Sequence, residues 1–303
     1  MYTEDELSKK AKIVSRLVAE FNNNDKLVSL FATPNNVSEI ETAFEYPPHL
    51  SSEIIDMKEF KMEKLVWKDS TSSWVVLQLH GGGYLGAFKR IYKRMAGLYS
   101  EVSGGGTVFS VDYRVAPEYP FPAALDDALK AYEWILEQGY SPDNIVIAGD
   151  SAGGGLALAL CHVLKSRWQK MPAGLVLMSP WTDLATTGPS YEENYEVDPV
   201  FGNSRAGLIF DNPYIGDADP KDPRISPQYG DFTGFPCMLI QAGSNEMLLS
   251  DSEYTAAKAK AAGVKVRLSI YPGMFHVFQT AGTIFEESKM AWAEIRRFFQ
   301  EVY

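Results

Sequence analysis

The sequence predicts an α/β protein built on a parallel β-sheet covered by helices on both faces. Three observations predict it. From residue 51 onward, short Val/Ile/Leu-rich runs alternate with helix-length segments, the pattern of strands buried on both sides and joined by crossover helices. One run, Asn144 to Gly149, leads directly into Gly149-Asp150-Ser151-Ala152-Gly153 and then an apolar helix. Another, Trp74 to His80, leads directly into Gly81, Gly82 and Gly83.

Taken in order, the chain opens with a helical segment. Leu7, Ala11, Val14, Val18 and Phe21 recur at helical spacing and share one face. Asn22, Asn23, Asn24 and Asp25 break it, a shorter apolar piece runs from Leu27 to Phe31, and Pro34 closes that piece. Pro47–Pro48 marks a boundary between an N-terminal helical part, 1–46, and the main part of the chain, 47–303. Strands are predicted at 74–80, 107–113, 144–149, 174–178, 237–242 and 266–271. Helices are predicted near 89–102, 122–138, 152–168, 250–262 and 284–301. The stretch from Thr182 to about Gly234 breaks this rhythm with Pro, Gly, Asp and aromatic residues. A segment that long without regular structure is usually functional, and it reads as an insertion above the sheet.

Composition narrows the function classes. The chain has 303 residues, 46% hydrophobic and 22% charged, an ordinary globular mix. Its two cysteines, Cys161 and Cys237, cannot build a disulfide framework or a four-ligand zinc site. A net charge of −11 argues against nucleic acid and anionic membrane surfaces as partners. No apolar run approaches the ~18 residues of a transmembrane helix, and the acidic start lacks the apolar core of a secretory signal. The expectation is a cytoplasmic protein.

The motif around Ser151 is a G-x-S-x-G elbow in strand–turn–helix context. A nucleophile there sits at a strained backbone position, and the flanking glycines let the turn close. The following helix aims its positive end at the serine, favouring developing negative charge. A phosphate cradle is the competing reading, but the G-K-[ST] ending and a full G-x-G-x-x-G are absent. Upstream, His80-Gly81-Gly82-Gly83-Tyr84 supplies backbone N–H groups where an oxyanion could form. Gly82, Gly83 and Ala152 are the candidate donors, and His80 reads as structural.

The serine needs a base. The histidines are His49, His80, His162 and His276, and in the order Ser, acid, His only the last two qualify. His162 lies roughly 16 Å down the helix from Ser151 at 1.5 Å per residue, so His276 remains. The acid should follow the strand ending at Gly243. Glu246 lies in the loop beyond that strand, whereas Asp251 starts the next helix, where it or Ser250 would serve as an N-cap. Glu246 is preferred, with Asp251 as the competitor. Its task would be to accept the His276 Nδ1 proton and stabilise the imidazolium.

HGGGY at 80–84, GDSAGG at 149–154, DYRVAPEYPFPAALDDA at 112–128 and GMFHVF at 273–278 together resemble the hormone-sensitive-lipase-like branch of the α/β hydrolases, bacterial esterase family IV. The resemblance spans roughly 60–300. It implies the α/β-hydrolase fold, a mostly parallel eight-stranded sheet with helices on both faces, and a helical cap made of the N-terminal helices and the 182–234 insertion. It implies Ser151 as nucleophile, His276 as base, and Gly82, Gly83 and Ala152 as oxyanion donors. The chain departs from the usual aspartate of a D-P-L-x-D motif, reading Gly243-Ser244-Asn245-Glu246 instead, and the register places Glu246 in the acid position. Arg114 and Glu118 match the family's YRLAPE phrase and read as structural and ion-paired.

These readings converge on a serine carboxylesterase acting on short- to medium-chain acyl esters, needing no metal or organic cofactor. Lactone hydrolysis or natural-product deacetylation would use the same groups. Gibberellin receptors, similar in fold, lack the catalytic histidine that is present here as His276. Tyr84, beside the glycine loop, and Phe201 and Phe210 are the candidate substrate-binding residues, the last two among insertion aromatics that include Tyr191, Tyr195 and Tyr214. The resemblance also implies pairing into a homodimer through the last strand and helix; the apolar Met290, Trp292, Ile295, Phe298 and Phe299 there fit that reading or plain packing on the sheet.

Overall fold

The apolar runs lie side by side as strands of one sheet. The computed structural model describes residues 7–22, 36–202 and 207–302. Among these residues the strands are β1 (Leu50–Asp56), β2 (Lys61–Trp67), β3 (Val75–Leu79), β4 (Thr107–Asp112), β5 (Ile145–Asp150), β6 (Gly174–Met178), β7 (Cys237–Gly243) and β8 (Val266–Tyr271). Their spatial order is β1-β2-β4-β3-β5-β6-β7-β8. From β4 to β8 every pairing is parallel, while β1 and β2 are antiparallel to their neighbours. This is the sheet that the resemblance implies.

β1 and β2 escaped the residue-level reading for a physical reason. Their sequences, LSSEIID and KMEKLVW, are rich in polar side chains, and most of β1 is exposed at the sheet edge. Pairing sustains them: Glu53 stands opposite Lys64, with 3.1 Å between their charged atoms. β8, expected to be buried, is half-buried throughout because it forms the other edge.

Helices cover both faces, as the continuous apolar strands require. α1 is Lys9–Asn22, α2 is Arg90–Val102, α3 is Ala123–Glu137 and α4 is Ala152–Ser166. In the insertion stand two single-turn helices, α5 (Ser190–Glu193) and α6 (Gly207–Phe210); α7 (Leu249–Ala261) and α8 (Glu286–Glu301) follow. Alternation along each strand sorts the core into two layers. Val75, Leu77, Ile147, Leu175 and Ile240 face α3, α4 and α7. Val76, Val146, Val176 and Leu239 face α2 and α8. The last helix spends its apolar face here: Trp292, Ile295, Phe298 and Phe299 are buried against the sheet. Packing therefore accounts for the apolar signal that also suggested self-association.

α1 uses the predicted face. Leu7, Ala11, Val14 and Val18 pack with Met274, Phe275, Phe278, Phe285 and Ala291. Ser8 caps the helix by accepting from Ala11 N–H at 3.2 Å, and its own N–H and Oγ–H donate to Glu287 at 2.7 and 2.8 Å. The Leu27–Phe31 piece, with Pro34, lies outside the described residues, as does the side chain of Phe21. Among the described residues, no helix is long and apolar enough to cross a membrane.

Candidate active site

β5 delivers Ser151 at its C-terminal end, and the backbone turns sharply there, with φ 53° and ψ −123°. The turn closes only because its neighbours lack side chains. A Cβ on Gly153 would stand 2.1 Å from Leu79 O, and one on Gly149 would stand 2.3 Å from Gly153 O. α4 begins at the next residue, so its N-terminal N–H groups lie beside the serine.

The glycine loop follows β3. Gly82 and Gly83 take φ of +112° and +64°, a region natural to glycine. Among the described residues, no hydrogen bond uses the N–H of Gly82, Gly83 or Ala152. These donors are thus available to an oxyanion. The loop is braced from behind. His80 is buried and stacked on Tyr113 at 4.1 Å; Tyr113 Oη–H donates to His80 O at 2.5 Å. Burial pushes the His80 pKa down to about 4, keeping the ring neutral. From the insertion, Asn212 Nδ2–H donates to Gly83 O at 2.9 Å.

The structure brings Ser151, His276 and Glu246 together. Ser151 Oγ and His276 Nε2 are 2.8 Å apart, and His276 Nδ1 and Glu246 Oε2 are 3.0 Å apart. The tautomer protonated at Nδ1 satisfies both contacts: Oγ–H donates to Nε2, and Nδ1–H donates to the carboxylate. Glu246 is fully buried. Its other oxygen, Oε1, accepts from Ser179 Oγ at 2.8 Å and from Gly243 N–H.

Asp251 stands apart from this constellation. Its Oδ2 accepts from Thr182 N–H at 2.7 Å and Asp183 N–H at 2.8 Å, so it pins the start of the insertion. Nor does it cap its helix. α7 begins at Leu249, and within its first turn Ser250 N–H donates to Ser190 Oγ of the insertion at 2.9 Å; in the loop before the helix, Met247 N–H donates to Asp198 Oδ2 at 2.7 Å. Burial pushes the Asp251 carboxyl well above its usual range, against the pull of those N–H bonds. His162 is likewise remote, its Nε2–H donating to Pro227 O at 3.0 Å. Arg114 is ion-paired with Asp127 at 2.7 Å, and Glu118 lies beside Tyr119.

The candidate substrate residues divide. Phe201 lies beside His276, its ring 4.8 Å from the imidazole. Phe210 is half-buried against the main core. Tyr84 is almost wholly buried, lying flat on Tyr214 at 3.9 Å; its ring joins the glycine loop to the insertion and presents almost no surface to a ligand. Reading the sequence missed the buttresses: Ser179, Asn212, and the insertion's Asn194 and Asp198. Asn194 Nδ2–H donates to Glu246 O at 2.7 Å, and Asp198 also accepts from Phe201 N–H at 3.1 Å. Of these, Ser179 directly follows a predicted parallel strand, at the carboxyl ends of the strands where sites form, but nothing in the sequence points from it to Glu246.

Asp150, next to the serine, is buried, with His276 the nearby group that favours its charged form. Its carboxylate accepts from Gly81 N–H, and burial pushes its pKa up to about 7. Among the described residues no group of three or more His, Cys, Asp or Glu side chains could hold a metal ion.

Comparison with known proteins identifies the family. A family described as alpha/beta hydrolase fold matches residues 76–280. An esterase of Acinetobacter venetianus is 38% identical over 230 residues, covering 76% of this chain and 75% of the relative. An acetyl-hydrolase of Streptomyces hygroscopicus is 35% identical over 230 residues, covering 73% of this chain and 76% of its own. The crystal structure of an esterase from the bacterial hormone-sensitive lipase family superimposes with a TM-score of 0.84 at 32% identity, covering 97% of this chain and 98% of that one.

Proposed function

Because this chain belongs to the α/β hydrolases, in the branch similar to hormone-sensitive lipase, we propose that it is a serine carboxylesterase cleaving short- to medium-chain acyl esters through Ser151, His276 and Glu246. The observation that carries the reading is the continuous chain of contacts from Ser151 Oγ through the His276 ring to the Glu246 carboxylate, at 2.8 and 3.0 Å.

In this mechanism Ser151 Oγ attacks the ester carbonyl carbon while His276 Nε2 takes its proton. Glu246 accepts from Nδ1–H and stabilises the imidazolium. The carbonyl oxygen, now negative, is held by the N–H groups of Gly82, Gly83 and Ala152. His276 returns the proton to the leaving alcohol. Water, deprotonated by the same ring, then cleaves the acyl-enzyme to free acid and serine. Each group involved belongs to the chain, so the cycle calls for no added cofactor.

Short acyl groups are supported by the acetyl-hydrolase named among the relatives and are compatible with the bulk of Phe201, whose ring lies 4.8 Å from that of His276. A p-nitrophenyl ester series from acetyl to palmitoyl tests the proposal. Turnover should peak at short chains, and Ser151→Ala should lose on the order of 10⁴- to 10⁶-fold in kcat. A Ser151→Ala variant keeping a tenth of the activity would overturn the assignment.

A further inference from the structure

Ser179 follows β6 and is completely buried, in a backbone conformation (φ +47°) that non-glycine residues seldom take. It is fastened there by its N–H, which donates to Gln241 O on β7 at 2.7 Å. Its hydroxyl touches both halves of the acid–base pair. Oγ–H donates to Glu246 Oε1 at 2.8 Å, and the same Oγ accepts from Val277 N–H, the residue after His276, at 3.1 Å.

We propose that Ser179 is a positioning residue for the reaction, using one hydroxyl to orient the glutamate and to hold the histidine loop in register with it. The inference rests on the reading of Ser151, His276 and Glu246 as the reacting groups. A glutamate has one more rotatable bond than an aspartate, so its carboxylate needs more fixing to keep one oxygen on the histidine. Ser179 and Gly243 N–H both hold Oε1, which leaves Oε2 to His276 Nδ1. Among the described residues, Ser179 and His276 are the side chains hydrogen-bonded to that carboxylate. Asn194 reaches only the backbone carbonyl of Glu246. On the other side, Val277 sits at φ +50°, a strained position for a β-branched residue, and its bond to Ser179 helps keep it there.

The experiment compares Ser179→Ala and Ser179→Gly with the parent enzyme on p-nitrophenyl acetate, each also in a Glu246→Ala background, with Ser151→Ala as control. Glycine accepts the positive φ, so at least one hydroxyl-free variant keeps the backbone; circular dichroism melting confirms folding. Loss of a hydrogen bond to a charged group should lower kcat roughly tenfold to a hundredfold, with KM within about twofold. In the Glu246→Ala background the same substitutions should cost almost nothing further, since the group being positioned is gone. Unchanged kcat, or an equal loss in both backgrounds, would overturn the role of Ser179 while an inactive Ser151→Ala left the esterase reading standing. An active Ser151→Ala would bring down both.

Discussion

Asn212 of the insertion and Gly83 of the glycine loop are joined side chain to backbone: Asn212 Nδ2–H donates to the Gly83 carbonyl at 2.9 Å, with Asn212 almost fully buried. The peptide unit between Gly83 and Tyr84 is thereby anchored beside the N–H groups assigned to the oxyanion. The insertion is a structural part of the site wall on this side, and through Asn194 and Asp198 it performs the same service for the Glu246 loop.

Asn212→Ala should therefore weaken catalysis without abolishing it. A lost neutral hydrogen bond and a stranded carbonyl cost about 1 to 3 kcal/mol, and part of that should fall on the transition state. We expect kcat to fall roughly five- to fiftyfold, measured by steady-state hydrolysis of p-nitrophenyl butyrate. Full activity in a folded variant would show that the loop holds its shape unaided.

The two acids should separate cleanly. Glu246→Ala should reduce kcat by on the order of 10³ to 10⁴ while the protein stays folded. Asp251→Ala should act on stability, because it strands the buried N–H groups of Thr182 and Asp183; the expected loss is about 2 to 4 kcal/mol. Active-site titration combined with urea unfolding distinguishes these outcomes, and the reverse pattern would move the acid to Asp251.

The elbow should tolerate no side chain at Gly153. A methyl group there would meet the Leu79 carbonyl at 2.1 Å, backbone against backbone. Gly153→Ala should lower the melting temperature sharply or prevent folding. Gly97, with open space around its Cβ position, provides the control; Gly97→Ala, in the middle of α2, should be neutral or stabilising by up to about 1 kcal/mol.

Asp150 gives the pH dependence a definite sign. Its pKa is about 7 in the folded protein against 3.8 ordinarily, because burial disfavours the charge. The folded state thus binds the proton more tightly than the unfolded chain. The resulting stabilisation is complete below about pH 4 and is lost as pH rises through 7. His80 and His162, pushed down to about 4 by burial, work the opposite way and favour the native state less as pH falls from 6.5 towards 4. Asp150→Asn removes only the first effect. Relative to the parent, it should gain stability between pH 5 and pH 8, read as the difference in urea midpoints; parallel curves would show that burial does not raise the Asp150 pKa.

How much of this was legible follows from where the information sits. The strands β3 to β7 were readable because burial forces apolar runs, and β8 because it keeps alternating apolar residues although it is a half-buried edge; β1 and β2 were not, because pairing sustains their polar-rich sequences. Ser151 and His276, which the structure brings together with Glu246, stood out from local motifs and chain order, and Glu246 stood out over Asp251 by its loop position and by the family's register. Ser179 and Asn212 did not, since each acts across 67 and 129 positions through a contact that no periodicity encodes. Asp251 was misjudged as a cap for the related reason that its partners, Thr182 and Asp183, lie 69 and 68 positions away.

The bond between Ser8 and Glu287 joins residues 279 positions apart, and it bears on the order in which the protein takes shape. During synthesis α1 emerges long before the segment containing Met274, Phe275 and Phe285 against which it packs. Closing so long a loop is entropically slow. Until that happens, α1 has an apolar stripe with nowhere to go, a natural handle for a chaperone. Ser151 precedes its partner His276 by 125 positions, so it too leaves the ribosome before the residue it contacts.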